Sequence, residues 1–95
     1  MKIIGVENGR EYDLEEVIDA NYTEQVFEDE WNDVDECVKV GKYEYPIATV
    51  LKKVDYVAFY EEYLVWLDNI TTHLEAELEN GNSVSIGGVE LKKAE

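Results

Sequence analysis

The chain has 95 residues, 33% of them charged, and a formal net charge of −15 at pH 7. A chain of this length buries a modest core, so we expect a single domain over residues 1–95. One cysteine leaves no intramolecular disulfide to stabilise it. Since no apolar run is long enough for a membrane span or a secretion signal, the sequence predicts a cytoplasmic protein without a membrane partner.

The charge is distributed in blocks. Residues 1–37 hold 13 acids and two bases, residues 38–53 hold one acid and four lysines, and residues 54–80 hold seven acids and no base. Two acidic segments therefore flank a slightly basic one, which predicts a polarised surface. The alternative interpretation is that the acidity serves solubility or a salt-rich environment. How much negative surface remains depends on whether the four lysines fold back onto the acids.

Short apolar runs and turn dipeptides predict three β-hairpins. The turns are marked by dipeptides that tolerate positive φ, namely Asn8-Gly9, Gly41-Lys42 and Gly87-Gly88. A two-residue turn at the first site would place Glu7 opposite Arg10. The cross-strand pairs expected in the other two hairpins are Val38–Tyr45, Lys39–Glu44, Val40–Tyr43, Val84–Leu91 and Ile86–Val89.

Capping residues and apolar periodicity predict four helices. Asp13 and Thr23 are the expected N-caps of the first two, which would run to about Ala20 and onward from residue 24. Pro46 suits the first position of the third helix. Asp55 would cap a long fourth helix over residues 56–79, and Asn69 allows a break in it.

The long helix is predicted to supply the core of an α+β fold. Its inward face would follow a helical period through Val57, Tyr60, Leu64, Leu67, Ile70 or Thr71, Leu74 and Leu78. Because isolated hairpins are marginally stable, we expect some of their strands to join one small antiparallel sheet. The expected architecture is that sheet packed with three to four helices.

Residues 21–36 are the most concentrated acidic segment, with seven carboxylates and no base. Val26, Phe27, Trp31 and Val34 are threaded through them on one helical face. We expect this segment and the preceding helix to form a negative surface for a basic protein partner. The predicted binding residues are Asp13, Glu15, Glu16, Asp19, Glu24, Glu28, Asp29, Glu30, Trp31, Asp33, Asp35 and Glu36, with a second row of Glu61, Glu62, Asp68 and Glu75.

An apolar anchor would give such a surface specificity. Trp31, Phe27 and Tyr22 are the candidates, and the alternative is that these aromatic residues belong to the core.

Catalytic chemistry has little support in the sequence. His73 and Cys37 are the only residues of their types, and no orienting partner is recognisable for either. We interpret His73 as a surface residue and Cys37 as a small core residue. A calcium loop from Asp33 to Glu44 fails because Val38 occupies the position that requires glycine. We therefore predict a non-enzymatic protein with no catalytic residue, metal site or cofactor.

Direct nucleic-acid binding is disfavoured, because eight basic residues stand against 23 acidic ones. The charge better fits a protein that takes the place of a nucleic acid on a basic partner. Arginine binds carboxylates and phosphates with similar bidentate geometry, so rows of carboxylates can occupy a site built for a phosphate backbone. The sequence thus favours an inhibitor that blocks DNA access to the basic channel of a nucleic-acid-processing nuclease, acting as a monomer or homodimer.

Small size, acidity and mixed α/β signals resemble the phage-borne inhibitors of bacterial defence, the anti-CRISPR and antirestriction proteins. Residues 38–68 (VKVGKYEYPIATVLKKVDYVAFYEEYLVWLD) are also similar to a pattern in small phage proteins. Its parts are a hairpin ending in Tyr45-Pro46, a short helix ending at residues 51–55, and a helix carrying Tyr60 and Trp66-Leu67-Asp68. The pattern usually has proline where Tyr56 stands here. The pattern in residues 38–68 implies a phage origin and no mechanism. The resemblance in size, acidity and mixed α/β signals implies a DNA-mimicking inhibitor of a host nuclease, in particular a CRISPR effector, in the host cytoplasm.

A second hypothesis assigns the acidity to solubility. In it the chain is a phage accessory or assembly protein that acts through an aromatic protein–protein interface. The residues of that interface would be Tyr43, Tyr45, Tyr60, Tyr63 and Trp66.

Overall fold

The structure, a computed structural model, describes residues 1–34 and 37–94. These residues form helices and short antiparallel strands, which confirms the predicted α+β class. In chain order the elements are β1 (Lys2–Gly5), β2 (Glu11–Asp13), α1 (Leu14–Asn21), α2 (Glu24–Val34), β3 (Val38–Val40), β4 (Tyr43–Tyr45), α3 (Ile47–Val54), α4 (Tyr56–Glu79), β5 (Val84–Ile86) and β6 (Val89–Lys93).

The chain divides into two compact units, and helix α4 contributes to both. Unit 1 consists of Met1–Tyr22 and Asp68–Glu95, and unit 2 consists of Thr23–Leu67. Helix α4 has no break at the boundary, although the sequence allows one near Asn69. The single domain expected from the length of the chain stays a prediction.

Unit 1 contains a four-stranded antiparallel sheet in the order β2-β1-β6-β5. The β5–β6 hairpin has the predicted register, with Val84 opposite Leu91 and Ile86 opposite Val89. Its turn residues Gly87 and Gly88 have φ values of 58° and 79°. Two consecutive positive φ values match the right-handed twist of the flanking strands, so the local turn chemistry sets the register.

The first hairpin has a longer loop than the sequence predicts. Ile4 pairs with Glu11, so the expected pairing of Glu7 with Arg10 is wrong. The Asn8 side-chain oxygen instead accepts a hydrogen bond from the Arg10 backbone N–H at 2.9 Å. Because this local bond stabilises a wider turn, the strands begin to pair further from the Asn8-Gly9 dipeptide.

The core of unit 1 is aliphatic and drawn from the sheet, from α1 and from the last part of α4. Its buried side chains are Ile3, Leu14, Ile18, Leu74, Leu78, Ile86 and Leu91. Each such burial is worth about 1.5–3 kcal/mol relative to exposure. Helix α1 starts as predicted, since the Asp13 carboxylate accepts a hydrogen bond from the Glu15 backbone N–H at 3.2 Å.

Unit 2 is built around aromatic side chains. Phe27, Ala48 and Phe59 are buried, and the partly buried residues packed against them are Trp31, Leu51, Tyr63 and Trp66. The Phe27 ring lies at the centre, with its centroid 5.2–5.8 Å from those of four other rings. Tilted ring pairs at this spacing stabilise the fold beyond the contribution of the apolar area that the rings bury.

The first half of α4 buries a different face from the predicted one. Val57, Tyr60 and Leu64 remain 67%, 41% and 44% exposed. The inward positions are taken by Phe59, Tyr63 and Trp66. Residues 56–67 carry only two charged side chains, so more than one face of this part of the helix has apolar residues at helical spacing. The larger aromatic side chains decide the orientation because they bury more area.

The β3–β4 hairpin forms its own two-stranded sheet rather than joining the other four strands. Its register is the predicted one, with Val38 opposite Tyr45, Lys39 opposite Glu44, and Val40 opposite Tyr43. Since side chains alternate between the faces of a strand, the two valines and two tyrosines share one face. Val40 and both tyrosines on that face are exposed.

Candidate protein-interaction surfaces

In unit 1 the predicted acids lie on and beside helix α1. Glu15, Glu16 and Asp19 are exposed, whereas Asp13 is half-buried and caps the helix. Glu15 also lies 3.3 Å from the terminal ammonium group of Met1. The helix therefore offers three exposed carboxylates to solvent, with one of them in an ion pair.

In unit 2 the predicted acids follow helix α2. Asp29, Glu30 and Asp33 are exposed, and Glu24 is half-buried and accepts a hydrogen bond from the Tyr56 hydroxyl. This bond raises the pKa of the Tyr56 hydroxyl, because the neighbouring carboxylate favours the protonated form. The predicted residues Asp35 and Glu36 lie outside the described part of the chain.

Glu28 is not part of the exposed acidic surface. Its side chain is buried, with the residue only 8% exposed, and it accepts the Thr49 hydroxyl at 2.6 Å and the Lys52 ammonium at 3.2 Å. The Thr49 hydrogen bond, followed by the contact with Lys52, lowers the pKa of the Glu28 carboxyl. The prediction that Glu28 faces a partner is therefore corrected: it joins α2 to α3.

The lysines of residues 38–53 neutralise little of the exposed acidity. Lys52 folds back onto the buried Glu28, Lys39 lies 3.7 Å from Glu44, and Lys42 lies 5.5 Å from the Tyr43 ring centroid. Across residues 1–34 and 37–94, ion pairs engage four carboxylates: those of Glu15, Glu28, Glu44 and Glu79. Most of the described acids thus form no ion pair with another described residue.

The two helices have a linear charge density close to that of one DNA strand. At 1.5 Å per residue, the eight residues of α1 span about 12 Å and carry three exposed acids. The eleven residues of α2 span about 16 Å and carry four acids that are not buried. Each helix thus presents about one charge per 4 Å, against one phosphate per 3.4 Å on a strand of DNA.

The predicted second row consists of exposed and half-buried acids. Glu61 and Glu62 of unit 2 are exposed, as is Asp68 of unit 1, whereas Glu75 is half-buried. The exposed Glu61 lies on the same side of α4 as the uncovered Val57 and Leu64, because these positions are three or four residues apart.

The predicted aromatic anchors are largely withdrawn into the protein. Phe27 is buried, and Trp31 and Tyr22 are half-buried. Val26 and Val34, predicted on the same apolar face, are exposed. Most of the exposed large apolar residues that the structure describes lie on the β3–β4 hairpin and on α4. The second hypothesis already places Tyr43, Tyr45 and Tyr60 on an interface, whereas the exposure of Val40, Val57 and Leu64 was missed. The alternation of the hairpin was the signal that could have revealed Val40.

Within residues 1–34 and 37–94 no group of three or more His, Cys, Asp or Glu side chains is placed to hold a metal ion. Cys37 is exposed, so its assignment to the core is wrong, and His73 is exposed as expected. None of the helices in these ranges combines the length and apolar character that a membrane span requires.

Comparison with known proteins yields no relative. No family model matches the chain, and neither a curated protein nor a solved structure does.

Proposed function

We propose that this chain is a non-enzymatic inhibitor that binds the basic nucleic-acid site of another protein and keeps DNA out. The observation that carries the proposal is the set of exposed carboxylates on α1 and α2. Glu16, Asp19, Glu30 and Asp33 are exposed, and none of them forms an ion pair with another described residue.

The physical basis is competition for the same cations. Lysine and arginine side chains that normally neutralise phosphates would meet carboxylates held at a similar linear density. Arginine suits this exchange because its planar guanidinium group donates paired hydrogen bonds to a carboxylate or to a phosphate in similar bidentate geometry. Complementary charge also steers association, so the inhibitor would bind fast at low salt and more weakly as salt is added.

The partner we favour is a nuclease of bacterial defence, in particular a CRISPR effector. Such an effector holds its RNA–DNA heteroduplex in a positively charged channel and contacts the backbone rather than the sequence. An acidic surface needs only complementary charge and shape to enter such a channel. In this proposal the chain is phage-encoded and acts in the host cytoplasm.

A DNA-competition assay tests the proposal. A panel of purified defence nucleases is titrated with the chain, and DNA binding is followed by fluorescence anisotropy. The variant under test is Asp29→Asn, Glu30→Gln, Asp33→Asn. The control, Glu7→Gln, Glu44→Gln, Glu90→Gln, removes the same charge from exposed positions elsewhere.

For a nuclease that responds, we expect the α2 variant to need at least tenfold more protein for half-inhibition and to depend less steeply on salt. The control should change inhibition by less than threefold. Equal effects of the two variants would mean that net charge alone acts, and the absence of inhibition across the panel would remove the nuclease assignment.

A second candidate function is a protein–protein adaptor, as in a phage accessory or assembly protein. The β3–β4 hairpin supports it, because Val40, Tyr43 and Tyr45 form an apolar face that is exposed to solvent. A two-stranded hairpin without a covering layer is marginally stable in water. A partner, or a second copy of this chain, would cover that face. Of the other residues predicted for this interface, Tyr60 is exposed, while Tyr63 and Trp66 pack in the unit 2 core.

A further inference from the structure

Unit 1 contains a cleft along helix α1 whose two ends differ in chemistry. The apolar end, about 150 Å³ in volume, lies between α1 and the β5–β6 hairpin. Val17, Ile86, Val89 and Leu91 supply its apolar lining. A space of about this size accepts a group as large as benzene, so it can hold one branched aliphatic side chain.

The acidic end continues from the apolar one along the same helix. It has a volume of about 380 Å³ and shares Tyr12, Val17 and Asn21 with its neighbour. Its charged lining consists of Glu11, Asp13, Glu16 and Lys2. Glu11 and Glu16 are exposed, and neither forms an ion pair with another described residue. Three carboxylates against one ammonium group leave this end negative.

A glycine keeps the boundary between the two ends in its present shape. A side chain at Gly87 would bring its Cβ within 2.4 Å of the Asn21 side-chain oxygen. Asn21 in turn donates a hydrogen bond to the Val17 carbonyl at 2.8 Å, which holds its amide against its own helix. The floor of the cleft is therefore set by close packing.

We infer that this cleft binds an extended basic segment of a protein partner, with an aliphatic side chain in the apolar end and Lys or Arg in the acidic end. The inference rests on the proposed function and deepens it, because it supplies the apolar anchor that Phe27 and Trp31 do not provide. Burial of one aliphatic side chain is insensitive to salt, whereas the acidic surface alone binds in a salt-dependent way.

Charge decides between this occupant and the others. A second copy of this chain would approach with a net charge of −15, and a nucleic acid would bring phosphates. Both would be repelled. A polyamine would satisfy the acidic end but would leave the apolar end empty. A basic segment with one aliphatic residue complements both ends at once.

Capped tripeptides are suitable probes, since the natural partner is unidentified. Two of them combine one leucine with two lysines in either order, and the third has glycine in place of leucine. Each is titrated into the full chain at 20 mM and 300 mM NaCl, and binding is followed by backbone amide chemical shifts. Val89→Ser alters the apolar end, and Val6→Ser removes an exposed valine elsewhere in unit 1. Glu16→Gln alters the acidic end.

We expect at least one leucine peptide to bind no less than threefold more tightly than the glycine peptide, with shifts at Val17, Ile86 and Val89. Val89→Ser should abolish that advantage and Val6→Ser should keep it. Glu16→Gln should weaken all three peptides. The leucine advantage should persist at 300 mM NaCl, because it comes from apolar burial.

Three other results bear on this inference and on the proposed function, and two of them separate the two. Equal, salt-sensitive binding of leucine and glycine peptides overturns the cleft inference and leaves the acidic surface intact. No binding of any peptide at 20 mM NaCl counts against both. If the leucine advantage is present but no nuclease is inhibited, the cleft stands and the nuclease proposal falls.

Discussion

The Asn32 side chain in helix α2 caps helix α3 from sixteen residues away, by accepting the backbone N–H of Ala48 at 2.8 Å. Pro46 precedes α3 and has no side-chain group that could cap it. One turn before Asn32 on α2, the Glu28 carboxylate accepts hydrogen bonds from two residues of α3, Thr49 and Lys52. These two residues of α2 therefore satisfy polar groups in both the first and the last turn of α3 and join the two helices.

Loss of the Asn32 side chain should destabilise unit 2. Asn32→Ala removes the cap and the 3.1 Å hydrogen bond to Thr49, and we expect it to lower the free energy of unfolding by about 1–2 kcal/mol. Asn32→Asp keeps an oxygen acceptor for Ala48 and should cost less. Urea denaturation measures both, with Gln25→Ala on the exposed side of α2 as the control. Equal losses in the two Asn32 variants would contradict a capping role.

The contribution of Glu28 to stability should depend on pH in a defined direction. Its folded-state pKa is lowered, so its carboxylate stabilises the fold above the unfolded value of about 4.3, and this contribution is lost as the pH falls through the folded pKa. The stability difference between the native protein and Glu28→Gln should therefore be largest near neutral pH and shrink below about pH 4.

Denaturation curves of the two proteins from pH 3 to pH 7 give this difference directly. Taking the difference removes most of the effect of the overall negative charge, which both proteins share. Glu30 is exposed and lies two positions later on the same helix, so the stability difference for Glu30→Gln should change little with pH. A constant difference across the pH range for Glu28→Gln would argue against the buried pair.

The orientation of α4 in unit 2 can be tested by truncating neighbouring aromatic residues. Phe59 is fully buried, and Phe59→Ala should cost about 3–5 kcal/mol. Tyr60 is exposed, and Tyr60→Ala should cost about 1 kcal/mol or less. Thermal and urea unfolding of the two variants compare them directly. A larger loss of stability for Tyr60→Ala than for Phe59→Ala would mean that α4 buries the face that the sequence alone predicts.

The apolar face of the β3–β4 hairpin should determine any self-association. Two chains that each carry −15 repel each other, so a dimer formed through this face should strengthen as salt is added. Binding of a basic partner should weaken under the same change. Sedimentation velocity at 50 mM and 500 mM NaCl shows whether added salt strengthens or weakens the dimer. The double variant Tyr43→Ser, Tyr45→Ser should remove the dimer. A monomer at every concentration would count against the adaptor function.

The local structure was largely predictable because its causes lie within a few residues of one another. Asp13, Thr23 and Asp55 cap the helices that follow them. The Gly41 and Gly87-Gly88 turns set their hairpin registers, since positive φ at these positions selects one turn type. The location of the acidic residues on α1 and α2 follows from the same local signals.

Long-range packing decided what local patterns leave open. In the sequence Glu28 resembles its neighbours Asp29 and Glu30, and only contacts with Thr49 and Lys52, more than twenty residues away, make it a buried structural group. The cleft beside α1 likewise depends on the β5–β6 hairpin, which the chain reaches some seventy residues later.

The sequence by itself determined that this protein is acidic, α+β and organised into capped helices and hairpins, two of them with the predicted register, because charge, caps and turns act over a few residues. Tertiary structure alone decided which carboxylates are exposed, which face of α4 is buried and where the apolar surface lies. Those outcomes depend on which helix faces are buried in a small core. The faces with the larger aromatic side chains are buried because they remove more apolar area from water.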